Sequence, residues 1–145
     1  MIKIICVGKI KEKYLNDLIE DYSKRISKYH KLNVIEVKDE STLAKERDSI
    51  KKYIGSNDYV ITLEIEGNKL TSVELANKID NLFNSHSTIT FIIGSSLGLH
   101  DDIKALANYR LSFSSLTFPH GLFRGILLEQ IYRSFKIINN ETYHK

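Results

Sequence analysis

The sequence is poor in the residues that cross-link or interrupt a small fold. Cysteine occurs once, at Cys6 inside an apolar run, so no internal disulfide forms and no cysteine set points to a metal. Proline also occurs once, at Pro119, and no Pro-rich, repetitive or low-complexity stretch marks a linker. No apolar run approaches the ~20 residues of a membrane span, and Met1 leads straight into a strand pattern rather than a signal peptide. Excess charge is also scarce. The 21 Lys and Arg against 18 Asp and Glu leave a net charge of +3, which permits an RNA partner without requiring one. What remains is the expectation of one cytosolic domain over residues 1–145, whose 42% hydrophobic content suits a single packed core.

Strand and helix patterns alternate along the chain. Ile2 to Val7 reads as a buried strand ended by Gly8, and Leu15, Leu18, Ile19, Tyr22, Ile26 and Tyr29 repeat at helical spacing. Val34–Val37 is a second strand, Leu43 to Ile54 a charged helix, and Tyr59–Ile65 a third strand closed by a turn at Gly67-Asn68. Thr71-Ser-Val-Glu74 is a capping box that opens a helix through Leu82. Thr88–Ile93, a short helix from Asp101 to Tyr109, the strand Arg110–Phe113 and a closing helix from Leu122 to Ile138 complete the series. Such alternation predicts an α/β fold, a mostly parallel sheet with helices on both faces. Lys9, Lys11, Lys13, Lys24, Arg25, Lys28 and Lys31 crowd the first helix and its flanks, equally suited to a solvated helix face or to RNA. The apolar face of the closing helix is broad, and a partner helix from a second copy would cover it.

Three segments carry pocket chemistry. Gly94-Ser-Ser-Leu-Gly98 follows the fourth strand, where open α/β sheets bind ligands, but it lacks the Gly-Lys-Ser/Thr of a phosphate loop. Phe113 to Phe118 sets hydroxyls between aromatic and aliphatic side chains, a composition suited to wrapping an adenine or to a short buried crossover. Tyr143-His144-Lys145 combines a ring, a group that titrates near neutrality and a cation.

Taken in order, these segments resemble the RlmH type of ribosomal RNA methyltransferase in the SPOUT superfamily. The likeness covers essentially the whole chain. It rests on Ile4-Ile-Cys-Val-Gly-Lys9, Thr62-Leu-Glu-Ile-Glu-Gly67, Phe91-Ile-Ile-Gly94 with Gly98-Leu99, Leu111-Ser-Phe-Ser114, Leu116-Thr-Phe-Pro-His120, Leu127-Leu-Glu-Gln-Ile-Tyr-Arg133 and Tyr143-His-Lys145. The resemblance implies a C-terminal trefoil knot, a homodimer with active sites at its interface, and S-adenosylmethionine as cofactor with no metal. It further implies methylation at N3 of a pseudouridine in helix 69 of 23S rRNA within the assembled ribosome.

By the same resemblance, Leu63, Gly94, Phe113, Ser114, Ser115, Leu116, Thr117 and Phe118 would contact the cofactor, and the tail would handle the target base. His144 is the expected proton acceptor and Tyr143 the stacking ring. Arg124, Arg133 and Lys145 would stabilise developing charge or hold phosphates, although Arg133 also stands one helical turn from Glu129. Ser95, where many relatives carry a second glycine, Gly125 inside the last helix, and Thr142, where proline is frequent, depart from the family pattern. Two other classes fit the same residues: a ribosome-docking module without catalysis, and a SPOUT enzyme acting on transfer RNA.

Overall fold

A computed structural model describes residues 1–145, and parallel strands form its centre. In chain order the elements are β1 (Ile2–Val7), α1 (Lys13–Ser27), β2 (Leu32–Val37), α2 (Leu43–Lys51), β3 (Tyr59–Lys69), α3 (Ser72–Leu82), β4 (Ile89–Ile93), α4 (Asp101–Leu106), β5 (Tyr109–Ser112) and α5 (His120–Ile138). The sheet runs β2-β1-β4-β3-β5, and every pairing is parallel. Alternating side chains divide the core, because successive residues of a strand face opposite sides. Ile2, Ile4 and Cys6 pack in the larger layer with residues of α1, α3 and α5, such as Ile26, Ile79 and Ile131. Ile5 and Val7 face the smaller layer beside Ile50 of α2 and Ile103 of α4. All five residues of β4 are buried, as expected for a strand covered on both faces.

Strand order sets the position of the candidate site. The chain steps inward from β3 to β4, then outward across β3 to β5. The loops leaving β4 and β5 therefore flank the C-terminal half of β3. Two of the three segments singled out as pocket builders, Gly94–Gly98 and Phe113–Phe118, converge at that end of the sheet, and the Tyr143–Lys145 tail does not.

Several expected boundaries moved, each for a local reason. No turn ends the third strand at Gly67-Asn68; β3 continues to Lys69 through a register shift between Leu63 and Asn68, both of which pair with Leu111. A Cβ at Gly67 would lie 2.9 Å from backbone atoms of Arg110 and Leu111, so glycine allows the two strands to approach at this irregularity. The short helix stops at Leu106 rather than Tyr109. Asn108 docks instead on β3, donating its N–H to the Val60 carbonyl and accepting from the Val60 N–H at 2.8 Å each. The capping box forms as read, with Thr71 Oγ1 accepting from Glu74 N–H and the Glu74 carboxylate accepting from Thr71 N–H.

The apolar face of α5 is covered within the chain. Leu127, Leu128, Ile131, Tyr132 and Phe135 are buried, in one cluster with residues of α1 and α3. That face therefore gives no reason to require a second copy. Gly125, costly in an isolated helix, lies where a Cβ would meet Leu18 Cδ2 of α1 at 2.6 Å, so the close crossing of α1 and α5 accounts for it. Three of the seven basic residues crowding α1 and its flanks are internally neutralised: Lys13 pairs with Asp17, Lys24 with Glu20 and Arg25 with Asp21, each one turn apart. For these three residues the solvated-face reading is the better one.

Candidate active site

A cleft of about 420 Å³ opens where residues 63–66 of β3 meet the ends of β4 and β5. Leu63 lines it from β3, Gly94 from the loop after β4, and Phe113, Ser114, Leu116, Thr117 and Phe118 from the loop after β5. Ser115 alone among the eight expected cofactor residues lies outside the lining; its hydroxyl accepts from Lys69 Nζ at 2.8 Å. The hydroxyl-rich loop is shaped by its own side chains. Ser112 Oγ donates to the Ser114 carbonyl at 3.2 Å, and Leu116 N–H donates to Ser114 Oγ at 2.9 Å. Phe123 of α5 packs edge-on against Phe113 and stacks with Phe118, which fixes the far wall.

The glycine-rich loop is a tight closure. Gly98 has φ +83°, and its N–H donates to the Ser95 carbonyl at 2.9 Å. A Cβ on Gly94 would sit 2.5 Å from the Gly98 carbonyl oxygen, so the loop itself demands glycine there. Ser95 does not have a positive φ, and its hydroxyl has work of its own. It donates to the buried carboxylate of Glu46 at 2.7 Å while accepting from Leu97 N–H at 3.2 Å. Glu46 also accepts from Glu40 N–H, so α2 braces the loop from below.

Sequence reading passed over the charged side of the cleft. Glu64, Glu66 and Lys104 join the lining, as does His120. The Glu64 side chain is 3% exposed. Arg110 Nη2 and Nε donate to its two oxygens at 2.6 and 2.8 Å, and Thr62 Oγ1 donates at 2.6 Å. Burial alone would raise the Glu64 carboxyl, but the Arg110 and Thr62 hydrogen bonds and the Arg110 charge hold it below the usual range. It is a firmly ionised group at the cleft wall.

The tail docks away from this cleft. Asn140, at φ 55°, caps the end of α5 and turns the chain back along it. Tyr143 donates to Glu129 Oε1 at 2.9 Å and lies 3.3 Å from the Tyr22 hydroxyl. Burial, then the bonds to Tyr22 and Glu129, push its phenol up and keep it neutral. Its ring meets Tyr132 edge-on at 4.9 Å, with the Arg133 guanidinium 4.8 Å above its centre. The expected stacking ring is thus an anchor whose contacts are already taken. Arg133 pairs with Glu129 as the helical spacing suggested, and its Nη1 also reaches His144 Nδ1 at 3.0 Å. His144 and Lys145 are exposed.

That last contact constrains the chemistry of His144. A guanidinium can only donate, so Nδ1 must accept, and the neutral ring carries its proton on Nε2. The lone pair that would take a proton is the one facing Arg133. In this geometry His144 presents a donor, Nε2–H, to its surroundings. Arg124 does not join either group: it is 4% exposed, donating from Nη1 to Glu36 at 2.5 Å and from Nη2 to the Gly8 carbonyl at 3.1 Å. The expected role on the substrate gives way to that of a clamp joining α5 to the ends of β1 and β2.

Comparison with known proteins agrees with this architecture. A family model described as "Predicted SPOUT methyltransferase" matches residues 1–144. Proteins named "Ribosomal RNA large subunit methyltransferase H" from Clostridium botulinum (strain Kyoto / Type A2) and Clostridium tetani (strain Massachusetts / E88) are each 50% identical, with 99% of this chain and 99% of the relative covered. Among solved structures, a probable methylase family protein from Haemophilus influenzae superposes with a TM-score of 0.59 at 15% identity, covering 99% of this chain and 70% of the other. The SpoU methyltransferase AviRb of Streptomyces viridochromogenes, solved in complex with AdoMet, gives 0.50 at 8% identity, covering 95% and 60%. At those identities the structural likeness bears on the fold alone, while the full-length matches carry the assignment: the chain belongs to the SPOUT methyltransferase family, as a member of its RlmH type.

Proposed function

We propose that this chain is an S-adenosylmethionine-dependent methyltransferase that modifies N3 of a pseudouridine in helix 69 of 23S rRNA in the assembled ribosome. We propose further that it works in the cytoplasm as a homodimer with a knotted C-terminal half. The observation that carries the reading is the convergence of two loops, from the ends of β4 and β5, with residues 63–66 of β3 on one largely apolar cleft. Its volume of about 420 Å³ lies in the range of small-molecule sites. Gly94 and Gly98 bring bare backbone to its edge, and Leu63, Phe113 and Phe118 supply apolar surface for an adenine. No cluster of His, Cys, Asp or Glu able to hold a metal accompanies it. The names of the 50% identical relatives support ribosomal RNA as the substrate class.

Bound S-adenosylmethionine would supply an electrophilic methyl group on a sulfonium. The remaining task falls to the protein. The N3–H of the base is a poor nucleophile until its proton leaves, here to solvent water, so the site must favour the deprotonated base and align it. Nε2–H of His144 and the guanidinium of Arg133 are donors suited to the base carbonyls, where negative charge grows as N3 loses its proton. Tyr143 and Glu129 hold that pair in place. Lys145, exposed beside them, suits a phosphate.

The separation of cleft and tail supports the dimer. Phe123 lines the cleft and Arg133 holds the tail, ten residues apart on α5, or ~15 Å along the helix axis. A second copy that brings its tail to the first copy's cleft would complete two sites at once. The test is single-turnover methylation of ribosomes at saturating cofactor. His144→Ala should bind S-adenosylhomocysteine normally and react roughly 10²–10³-fold more slowly. His144→Gln, which keeps a donor but no base, should recover part of the loss. No recovery by His144→Gln, with a deficit that shrinks as pH falls and wild type itself loses its unprotonated imidazole, would return His144 to the role of proton acceptor; wild-type rates in both would remove the tail from the chemistry.

A further inference from the structure

The cleft carries an unassigned pair of opposite charges, and we infer that Lys104 and Glu66 form the subsite for the amino-acid end of the cofactor. The inference rests on reading the cleft as an S-adenosylmethionine site. Most of the lining is apolar or hydroxyl-bearing, and Lys104 is its only permanent cation. Lys104 stands in the last turn of α4, directly after the glycine-rich loop. Its side chain is 30% exposed, and the ammonium lies 3.5 Å from Glu66 Oε1 and 3.7 Å from Glu64 Oε1. Those distances exceed a good charge-assisted hydrogen bond, so the ammonium keeps donors free.

The two carboxylates differ in what already occupies them. Glu64 is saturated by the bidentate Arg110 and by Thr62. Glu66 is 61% exposed, and its closest cations, Lys104 at 3.5 Å and Arg110 at 3.7 Å, make only long contacts. An ammonium and a carboxylate held only by long contacts therefore sit side by side at the cleft. An α-amino acid presents the complementary arrangement, a carboxylate and an ammonium on one carbon. Lys104 takes the carboxylate and Glu66 the ammonium, while the pair of buried Glu64 with part-exposed Arg110 ties β3 to β5 beside them.

The chemistry separates ligands that share the adenosine and sulfur but differ at this end. S-adenosylhomocysteine has the amino-acid group, and 5′-methylthioadenosine lacks it. Calorimetry on the full chain should show Lys104→Met weakening S-adenosylhomocysteine by roughly 5- to 20-fold, the range for a part-exposed charge-assisted bond, with 5′-methylthioadenosine unchanged. Glu66→Gln should repeat the pattern with a smaller loss, and added salt should narrow the difference in wild type. Equal losses for both ligands, or none for either, would overturn the subsite. Failure of the wild type to bind S-adenosylhomocysteine at all would instead refute the cofactor reading beneath it.

Discussion

Replacing Gly94 by alanine tests the cleft at its tightest point. The added methyl carbon would lie 2.5 Å from the Gly98 carbonyl oxygen, 2.7 Å from its carbon and 3.1 Å from Leu99 Cδ2. Two of those neighbours are backbone, so no rotamer change relieves them. Relief requires the Ser95–Gly98 turn to open, losing its 2.9 Å hydrogen bond and shifting Leu99 in the smaller core layer. Overpacking of this kind costs ~1–3 kcal/mol. For a domain of this length that is a fall in Tm of roughly 3–12 °C. The displaced loop also borders the cleft, so affinity for S-adenosylhomocysteine should drop at least tenfold while the circular dichroism spectrum stays native. Thermal melts and calorimetry on one preparation read both effects. An unchanged Tm with unchanged affinity would refute the claim that this loop closes on itself at the edge of the site.

Two further outcomes follow from the packing. Glu64 has a folded-state pKa below its ordinary value of 4.5, so its stabilisation is present above that value and lost as pH falls through the depressed one. Glu64→Gln should therefore melt below wild type at pH 7, by on the order of 1 kcal/mol because the part-exposed Arg110 is screened, and the gap should close toward pH 3; a gap independent of pH would contradict the assignment. At the crossing of α1 and α5, Gly125→Ala should stay within ~1 kcal/mol of wild type, since helix propensity offsets movement of the flexible end of Leu18. Gly125→Leu should lose ~1–3 kcal/mol, and an undiminished Tm would mean the helices do not meet as closely as described.

Local signals carried much of the architecture. Ile2–Val7 and Ile89–Ile93 are read correctly because a strand buried on both faces is a continuous apolar run. Thr71 and Glu74 form their capping box within four residues, so its chemistry is visible in the letters. Leu63, Gly94 and Phe113 were assigned to one site by resemblance, and the sheet order brings them together. Interactions between distant residues were not legible. Glu64 and Glu66 look alike in Leu63-Glu-Ile-Glu66, and only Arg110, forty-six residues from Glu64, saturates the first and leaves the second exposed with long contacts. Arg124 reads as one more helical arginine until Glu36 and Gly8 draw it inward. The tautomer of His144 depends on a turn at Asn140 that returns the tail to Arg133.

The central claim is a methyl transfer to one nitrogen of one ribosomal pseudouridine. Purified protein should be given S-adenosylmethionine with a labelled methyl group and offered unmodified assembled ribosomes, free 23S rRNA and transfer RNA in parallel. The account predicts label in the 23S rRNA of assembled ribosomes, confined by mass spectrometry to a single 3-methylpseudouridine in helix 69, with none in transfer RNA. Label in transfer RNA, or ribosomes that bind the protein and gain no methyl group, would contradict it.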